Sequence, residues 1–264
     1  MKEYRIKRHR LQTVHSTNSF LRELNGGDAS FDMELATTEF QTAGRGQKGN
    51  SWESEKSKNL LFSILLHPVY VQPSKQFCIS EAIALAVVKS LKEIVAEESV
   101  AKDFSVKWPN DIYWKNKKIA GILIENELFN YGSMTSTPKN IRFFRDETVG
   151  VGININQQIF LSDAPNPVSL YNILGVNTNV EEVLDAIIKQ FVANVSMIEN
   201  GQTALLHKEY MDSLFRRRGI YPYRDADSEF MATIKDVRED GRLILIDSDD
   251  KERIYEFKEV AIVL

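Results

Sequence analysis

The residues best suited to chemistry lie in a glycine-rich loop, residues 41–52, which reads QTAGRGQKGNSW. Its glycines let the backbone approach a ligand closely, and successive N–H groups in such a loop can hold an anion. Arg45 carries the fork of donors that binds a carboxylate or phosphate through two parallel hydrogen bonds, and Trp52 offers a flat face for a nucleobase. The spacing differs from the Walker and Rossmann glycine patterns. The loop predicts an anion site of another kind, with an ordinary surface loop as the alternative.

Two further segments present short polar side chains. Residues 107–111 read KWPND, in which Pro109 ends a predicted strand and presents Asn110 and Asp111 beyond it. Open sheets bind ligands at such strand ends, although Pro-Asn-Asp is also a common turn sequence. Residues 16–18 read STN, three hydrogen-bonding side chains that would equally suit a helix cap. Taken singly, each segment is compatible with a purely structural role.

Two apolar strands carry glycines at positions where a side chain would crowd a neighbour. Residues 118–125 read KIAGILIE, and residues 150–156 read GVGININ. A glycine inside a strand indicates close approach to the backbone, and the two asparagines of the second strand would share one face. Lys118 opens the first strand. Three lysines cluster within residues 115–118, so a solvated hairpin lysine is the alternative, and spacing does not select one of the three.

The hydrophobic pattern supplies the elements that would position these groups. Amphipathic stretches predict helices, and short apolar runs between turn residues predict strands. The predicted helices span residues 80–96, 180–199 and 203–214, after a short helix near residue 20. The predicted strands span residues 34–40, 60–66, 104–108, 119–125 and 148–155. We expect a hairpin around Asn116 and an irregular loop over residues 129–146.

The chain changes character after Gly219. Short alternating segments follow, separated by turns rich in Asp and Gly. The predicted strands there span residues 230–237, 242–247 and 253–257. About 45 residues of this kind favour a small β-barrel. We therefore expect two domains, residues 1–218 and residues 219–264.

Composition limits the classes of partner. The formal net charge is −4, so the chain lacks the overall basic field that attracts nucleic acid, and we expect no nucleic-acid partner. No run approaches the ~20 apolar residues needed to span a bilayer, so we expect no membrane association. Cys78 is the only cysteine, which excludes an intrachain disulfide and suits a reducing compartment. Because the charged N-terminal segment also differs from a signal peptide, we expect a cytoplasmic protein.

In this order, the five motifs closely resemble those of the biotin–protein ligase family. They are S-T-N, G-R-G-x-x-G-x-x-W, K-W-P-N-D, K-x-x-G-I-L and G-x-G-I-N, and they run from Ser16 to Asn154. The resemblance implies an α+β fold, a mixed β-sheet flanked by helices that is similar to class II aminoacyl-tRNA synthetases, with a small C-terminal SH3-like β-barrel. Since S-T-N begins at Ser16, we expect a ligase-only member that lacks the N-terminal DNA-binding domain of some relatives.

The resemblance also implies a reaction in two steps. The carboxylate of biotin attacks the α-phosphate of ATP, which releases pyrophosphate and gives biotinyl-5′-AMP. A lysine amine of a carrier then attacks the acyl carbon, and AMP leaves. ATP and biotin are the implied substrates, with Mg²⁺ on the phosphates and no residue assigned as a dedicated metal ligand. The implied partner is the biotin carboxyl carrier protein domain of a biotin-dependent carboxylase, and a homodimer is compatible with the sequence without being required by it.

Carried over position by position, the resemblance assigns two binding sites and three catalytic residues. The implied biotin-binding residues are Ser16, Thr17, Asn18, Gln41, Gly44, Arg45, Gly46, Gln47 and Lys118. The implied ATP-binding residues are Arg45, Trp52, Asn110, Lys118 and Asn154. In catalysis, Lys118 and Arg45 would stabilise charge, and Asp111 would orient or deprotonate the incoming lysine. Orientation is easier to defend for Asp111, because an ordinary Asp has a pKa of about 3.9 and lysine one of about 10.4.

One position departs from the family pattern, and two alternatives stay open. Many members have a second arginine where this chain has Gln47, which offers a backbone N–H but no guanidinium for retaining the adenylate. The first alternative is a lipoate or octanoate ligase of the same superfamily, but the glycine-rich loop and K-W-P-N-D favour biotin. The second is a non-catalytic biotin sensor, against which the presence of both Lys118 and Asp111 argues.

Overall fold

A seven-stranded sheet forms the frame of the chain, of which the computed structural model describes residues 2–24, 27–28, 30–68, 70–130, 142–162 and 164–264. Its strands are β1 (Ile6–Val14), β2 (Met33–Gln41), β3 (Leu60–Leu66), β4 (Phe104–Lys107), β5 (Asp111–Trp114), β6 (Lys117–Asn130) and β7 (Arg142–Ile153). They lie in the order β1-β2-β3-β7-β6-β5-β4. The pair β1 and β2 is parallel, and the other neighbouring pairs are antiparallel. The predicted mixed sheet is confirmed.

Helices cover both faces of this sheet. They are α1 (Thr17–Glu23), α2 (Phe77–Val95), α3 (Glu98–Ala101), α4 (Leu170–Leu174), α5 (Val180–Glu199) and α6 (Thr203–Asp212). The helix α2 has a broad apolar face and packs against the strands β4 and β5 and the helices α5 and α6, as a largely apolar helix must. On the other face, Leu21 of α1 packs against Ala36 and Leu65 in a smaller apolar cluster. Successive residues of a strand face opposite sides, so β3 contributes to both clusters.

A five-stranded antiparallel sheet follows Gly219. Its strands are β8 (Tyr221–Arg224), β9 (Glu229–Val237), β10 (Leu243–Asp247), β11 (Glu252–Tyr255) and β12 (Ala261–Ile262). They lie in the order β11-β10-β9-β8-β12, and each neighbouring pair is antiparallel. This sheet is compatible with the expected SH3-like domain, although no pairing of β11 with β12 closes it within the described residues.

The expected loop over residues 129–146 is wrong at both of its ends. β6 continues to Asn130 and β7 begins at Arg142, and these two residues pair in one long antiparallel ladder. Residues 131–141, the middle of the expected loop, lie outside the described residues. The polar composition of this region misled the prediction, because a hairpin that projects beyond a core needs no apolar alternation.

Several short or charged strands were not predicted either. β1 carries the basic residues Arg8 and Arg10, which lie 3.0 and 3.1 Å from Asp185 and Glu181 of α5, so helix carboxylates balance the charge of this edge strand. β5, β8 and β12 have at most four residues each, too few for a pattern to emerge. Among the described helices, none combines the length and the apolar character that crossing a membrane requires.

Candidate active site

A cleft of about 980 Å³ opens between the glycine-bearing face of the large sheet and the C-terminal sheet. With the exception of Gly44, every site residue predicted from the sequence lines it. The cleft therefore collects the start of α1, the glycine-rich loop, the turn between β4 and β5, and the middles of β6 and β7. These segments are up to about 140 residues apart in the chain, and the sheet order β3-β7-β6-β5 is what brings them together.

A buried hydrogen-bonded network forms one end of the cleft. The backbone N and the hydroxyl of Thr17 donate to Gln41 Oε1 over 2.8 and 3.1 Å. Ser63 Oγ lies 2.7 Å from Thr17 Oγ1 and 2.5 Å from Asn18 Oδ1. Ser16, Thr17 and Asn18 are all buried. Such a network fixes the rotamers of its members, so it presents a defined set of donors and acceptors to a ligand.

The guanidinium of Arg45 is held from one side. Its Nη2 donates to Glu125 Oε2 over 2.9 Å and to Ser19 Oγ over 3.3 Å. The loop around it closes on itself, because the N–H of Gly46 donates to the carbonyl of Asn50. In this conformation the Gly46 N–H is therefore engaged by the loop rather than directed at the cleft.

A lysine–aspartate pair lies deeper in the cleft. Lys118 Nζ is 2.6 Å from Asp111 Oδ1 and 5.7 Å from the centroid of the Trp52 ring. Beside this pair, Lys107 Nζ lies 5.1 Å from the centroid of the Tyr113 ring. Burial lowers the pKa of Lys107 and raises the pKa of Tyr113 to about 12. Two ammonium groups, one of them partly desolvated, thus face the same space beside one carboxylate.

The indole of Trp52 lies flat on the two glycines of neighbouring strands. A Cβ atom on Gly152 would come within 2.5 Å of Trp52 Cε2, and one on Gly121 within 3.0 Å of Trp52 Cζ3. The prediction that these glycines mark a close approach is confirmed, and the approaching group is a side chain of the same chain. Trp52 Nε1 is buried without a hydrogen-bond partner. A buried N–H of this kind is a donor that a ligand in the cleft would satisfy.

The remaining predicted residues take part mainly in the framework. Asn110 exchanges hydrogen bonds with Ile122, whose carbonyl accepts from Nδ2 over 2.6 Å. Asn154 Nδ2 donates to the carbonyl of Val168, and its Oδ1 is buried without a partner. Gly44 lies behind the cleft, where a Cβ atom would come within 2.9 Å of the Trp52 carbonyl. These residues shape the walls that hold the ligand-facing groups.

Several residues of the cleft or its network were not assigned a role from the sequence, and four of them carry polar groups close to the predicted ones. They are Ser63, Lys107, Glu125 and Lys258. Ser63 could have been noticed, because it is the one polar residue in the apolar run of β3 and its side chain is fully buried. Lys258 reaches in from the C-terminal sheet, where its Nζ lies 3.4 Å from the carbonyl of Gln47. No sequence pattern links it to a loop 211 residues earlier.

The cleft is poor in carboxylates that could hold a metal by themselves. Asp111 and Glu53 are the acidic residues that line it, and Asp111 is engaged by Lys118. Glu53 accepts the backbone N–H groups of Leu161 and Ser162 over 2.9 and 2.8 Å. Nowhere in the described part of the chain do three or more His, Cys, Asp or Glu side chains cluster as metal ligands would. A magnesium ion here fits only if it arrives on phosphate groups that supply most of its ligands.

Comparison with known proteins finds a family whose sequence model matches a segment in the first half of the chain. Residues 11–134 match the sequence model of the Biotin/lipoate A/B protein ligase family. The bifunctional ligase/repressor BirA of Bacillus subtilis (strain 168) is 32% identical over 146 residues, which cover 55% of this chain and 39% of that protein. The biotin–[acetyl-CoA-carboxylase] ligase of Mycobacterium tuberculosis is 24% identical over 230 residues, 87% of this chain and 79% of that protein.

Solved structures of biotin protein ligases have the same fold as this chain. The biotin protein ligase from Aquifex aeolicus, in complex with biotin and ATP, has a TM-score of 0.75 at 22% identity, covering 97% of this chain and 98% of that one. This likeness shows the fold across both sheets. The resemblance to biotin–protein ligases that the motifs predicted is confirmed. The chain spans about two fifths of the length of the Bacillus relative, 39%, so the activity of the whole protein is inferred below from the site.

Proposed function

Because residues 11–134 match the sequence model of the Biotin/lipoate A/B protein ligase family, we propose that the protein activates biotin with ATP and attaches it to a lysine of a carrier protein. The observation that carries this proposal is the convergence of five separate motifs on one cleft. One end of that cleft is a fixed polar network, and the other holds two lysines, an aspartate and an indole. A small polar ring and a nucleotide would fill these two ends.

The polar end suits the ureido ring of biotin. That ring offers one carbonyl acceptor and two N–H donors, and Ser16, Thr17, Asn18 and Gln41 together present hydroxyl and amide groups. A lipoyl or octanoyl chain has no groups to match these side chains. A site whose buried polar groups are left unpaired by the wrong substrate discriminates strongly against it. This supports biotin over the lipoate and octanoate alternatives.

Arg45 and Lys118 would carry the first step. A carboxylate oxygen of biotin forms a bond to the α-phosphorus of ATP while the bond to the leaving pyrophosphate breaks. Negative charge crowds at this centre, and fixed cations in a cleft stabilise it better than water does. Trp52 and Asn154 lie on the side where the nucleotide would be bound. ATP would enter as its magnesium complex, and Asn110 and Asp111, which line the cleft, would offer oxygen atoms to the ion while the phosphates supply most of its ligands.

Asp111 would act in the second step. The carrier lysine, once neutral, forms a bond from its nitrogen to the acyl carbon of biotinyl-5′-AMP, the bond to AMP breaks, and the amine proton passes to solvent. The Asp111 carboxylate, 2.6 Å from Lys118 Nζ, can attract and orient an incoming ammonium group. We assign Asp111 to positioning. Lys118 remains beside the acyl phosphate and stabilises the departing AMP.

The partner and the division of the chain are part of the proposal. The partner would be a biotin carboxyl carrier protein domain of a carboxylase, and the setting the cytoplasm. Residues 1–218 would form the catalytic domain and residues 219–264 the C-terminal domain. Lys258 and Ile262 line the cleft, so the C-terminal domain would complete the site from above. A ligase active without residues 219–264 would contradict this last point.

Mass spectrometry of a carrier domain tests the function directly. The protein is incubated with ATP, Mg²⁺ and a biotin carboxyl carrier domain, with biotin in one reaction and lipoate or octanoate with a lipoyl domain in another. We expect the carrier mass to rise by one biotinyl group in the biotin reaction alone. A mass shift only with lipoate or octanoate would show that the protein is a lipoate or octanoate ligase. Biotin binding without any mass shift would favour a non-catalytic biotin sensor.

A further inference from the structure

Glu125 lies at the point where two proposed ligand-binding side chains meet. Its Oε2 accepts hydrogen bonds from Arg45 Nη2 and from Asn18 Nδ2, each over 2.9 Å. Its Oε1 accepts one from Arg22 Nη1 over 3.2 Å. The side chain is 22% exposed, so water only partly screens these charge-assisted contacts. No other carboxylate of the described residues contacts Arg45.

The geometry leaves ligand-binding donors available on Arg45. A guanidinium has five N–H donors, and Arg45 uses only its Nη2 for Glu125 and Ser19. The Asn18 amide is fixed at both ends, because its Nδ2 donates to Glu125 and to the Leu123 carbonyl and its Oδ1 accepts from Ser63. Glu125 therefore orients Arg45 without using its remaining donors, and it fixes the Asn18 amide with acceptor capacity left on Oδ1. These contacts remove rotational freedom from both side chains before a ligand binds.

We propose that Glu125 is a positioning residue that fixes Arg45 and Asn18 in the conformation that binds the acyl-adenylate. This rests on the proposed function, which assigns Arg45 to the carboxylate and phosphate and Asn18 to the biotin ring. Without the carboxylate, the Arg45 side chain, already 39% exposed, is free to turn into solvent. Each ligand-binding event then has to order it again, and the affinity falls.

Glu125→Gln tests the proposal, with Glu127→Gln as the matched control. Both changes remove one carboxylate from the same strand, but Glu127 contacts Arg22 at 3.6 Å and does not touch Arg45 or Asn18. Calorimetry would measure binding of biotin and of a non-hydrolysable biotinyl-5′-AMP analogue. We expect Glu125→Gln to weaken the binding of the analogue about tenfold, because one charge-assisted hydrogen bond to Arg45 is lost. Glu127→Gln should bind as the wild type does.

A double variant separates positioning from a general structural role. In an Arg45→Ala background, Glu125→Gln should lose the part of its effect on analogue binding that acts through Arg45 and keep only the part that acts through Asn18. Additive losses, or an affinity of Glu125→Gln equal to or above that of the wild type, would overturn the proposal. Glu125→Asp keeps the charge and serves if Glu125→Gln fails to fold, with an intermediate affinity expected. Absence of biotin binding by the wild type itself would instead reject the proposed function.

Discussion

Lys118 is the lysine of the cluster at residues 115–118 that reaches the cleft. Its Nζ lies 2.6 Å from Asp111 Oδ1, whereas Lys115 Nζ lies 3.7 Å from Asp103 and over the ring of Trp114. The strand β6 begins at Lys117, so alternation along it sends neighbouring side chains to opposite faces. The direction of the strand thus selects the residue that composition alone left open.

Replacing Lys118 by alanine should abolish most of the adenylation activity. The lost ammonium group would stabilise charge developing at the α-phosphate, and removing one such group typically costs about a hundredfold or more in rate. The fold should persist, because the pair with Asp111 is partly exposed and such pairs contribute little to stability. Biotin-dependent exchange of pyrophosphate into ATP measures the step. Lys115→Ala is the matched control, and equal exchange by the two variants would remove Lys118 from the mechanism.

At this scale the sequence identified the residues that line the cleft better than the residues that support them. Arg45, Trp52 and Lys118 belong to short motifs that carry a chemical reason for their spacing. Ser63 and Glu125 act through contacts with Asn18, which lies 45 and 107 residues away in the chain. Such pairs depend on the order of the strands in the sheet, and local spacing holds no information about that order.

At the scale of elements, the glycines of β6 and β7 divide the cleft into two parts. A Cβ atom on Gly150 would come within 2.1 Å of Asn18 Oδ1, whereas one on Gly152 would come within 2.5 Å of the Trp52 ring. Both glycines lie on one face of β7, two residues apart. One strand therefore seats a residue of the proposed biotin site and a residue of the proposed ATP site next to each other.

Gly150→Ala and Gly152→Ala should separate the two binding sites. Each added methyl group displaces the side chain above it. We therefore expect Gly150→Ala to lower the affinity for biotin and Gly152→Ala to lower the affinity for ATP. Each loss should be about tenfold or more, because misplacing one well-packed contact costs about a kcal/mol or more. Calorimetric titration with each substrate measures both affinities. Each variant serves as the control for the other, with circular dichroism as the check on folding. Equal losses of both ligands in both variants would contradict the division.

The long apolar elements were predictable, and the short or charged ones were not. The helix predicted over residues 180–199 matches α5, because twenty residues give a 3.6-residue period room to repeat. β1 escaped prediction because its charges are balanced by a helix that follows about 170 residues later. The paired ends of β6 and β7 were taken for a loop because residues 129–146 are rich in polar side chains. For β1, the stabilising partner lies far away in the sequence, whereas β6 and β7 pair through backbone groups that side-chain pattern does not reveal.

At the scale of the whole molecule, aromatic packing and ionic contacts, among them Lys75 with Glu239 and His207 with Asp236, join the C-terminal sheet to the rest. Trp108 Nε1 donates to the Gly241 carbonyl over 2.9 Å, and the Trp108 ring lies 5.5 Å from that of Phe257. His207 of α6 lies between two carboxylates, Nδ1 2.6 Å from Glu81 Oε1 and Nε2 2.9 Å from Asp236 Oδ1. Trp108 belongs to K-W-P-N-D, so this motif contributes to the cleft and to the docking of the second sheet.

The His207 bridge makes this docking dependent on pH. The hydrogen bond to Glu81 raises the pKa of His207 to about 9, above the ordinary 6.5 that it regains on unfolding. A histidine whose pKa is raised in the folded state stabilises that state fully at pH values below its pKa in the unfolded chain. It loses this contribution as the pH rises through its pKa in the folded protein. At pH 6 we expect the free energy of unfolding of the wild type to be about 1 kcal/mol higher than that of His207→Gln. The difference is this small because about a third of the His207 side chain is exposed to water, which screens the charges. The difference should nearly vanish by about pH 10.

Urea unfolding of the two proteins at both pH values isolates this contribution. Burial raises the pKa of Glu147 to about 8, so the wild type also loses stability with rising pH for a separate reason. Both proteins contain Glu147, so its effect cancels when one free energy of unfolding is subtracted from the other. The same holds for Lys75 and Glu239, which lie near the bridge. His15→Gln, at an exposed histidine, should match the wild type throughout. A wild-type advantage that stayed constant from pH 6 to pH 10 would mean that His207 contributes by packing alone and that its charge does not help to dock the second sheet.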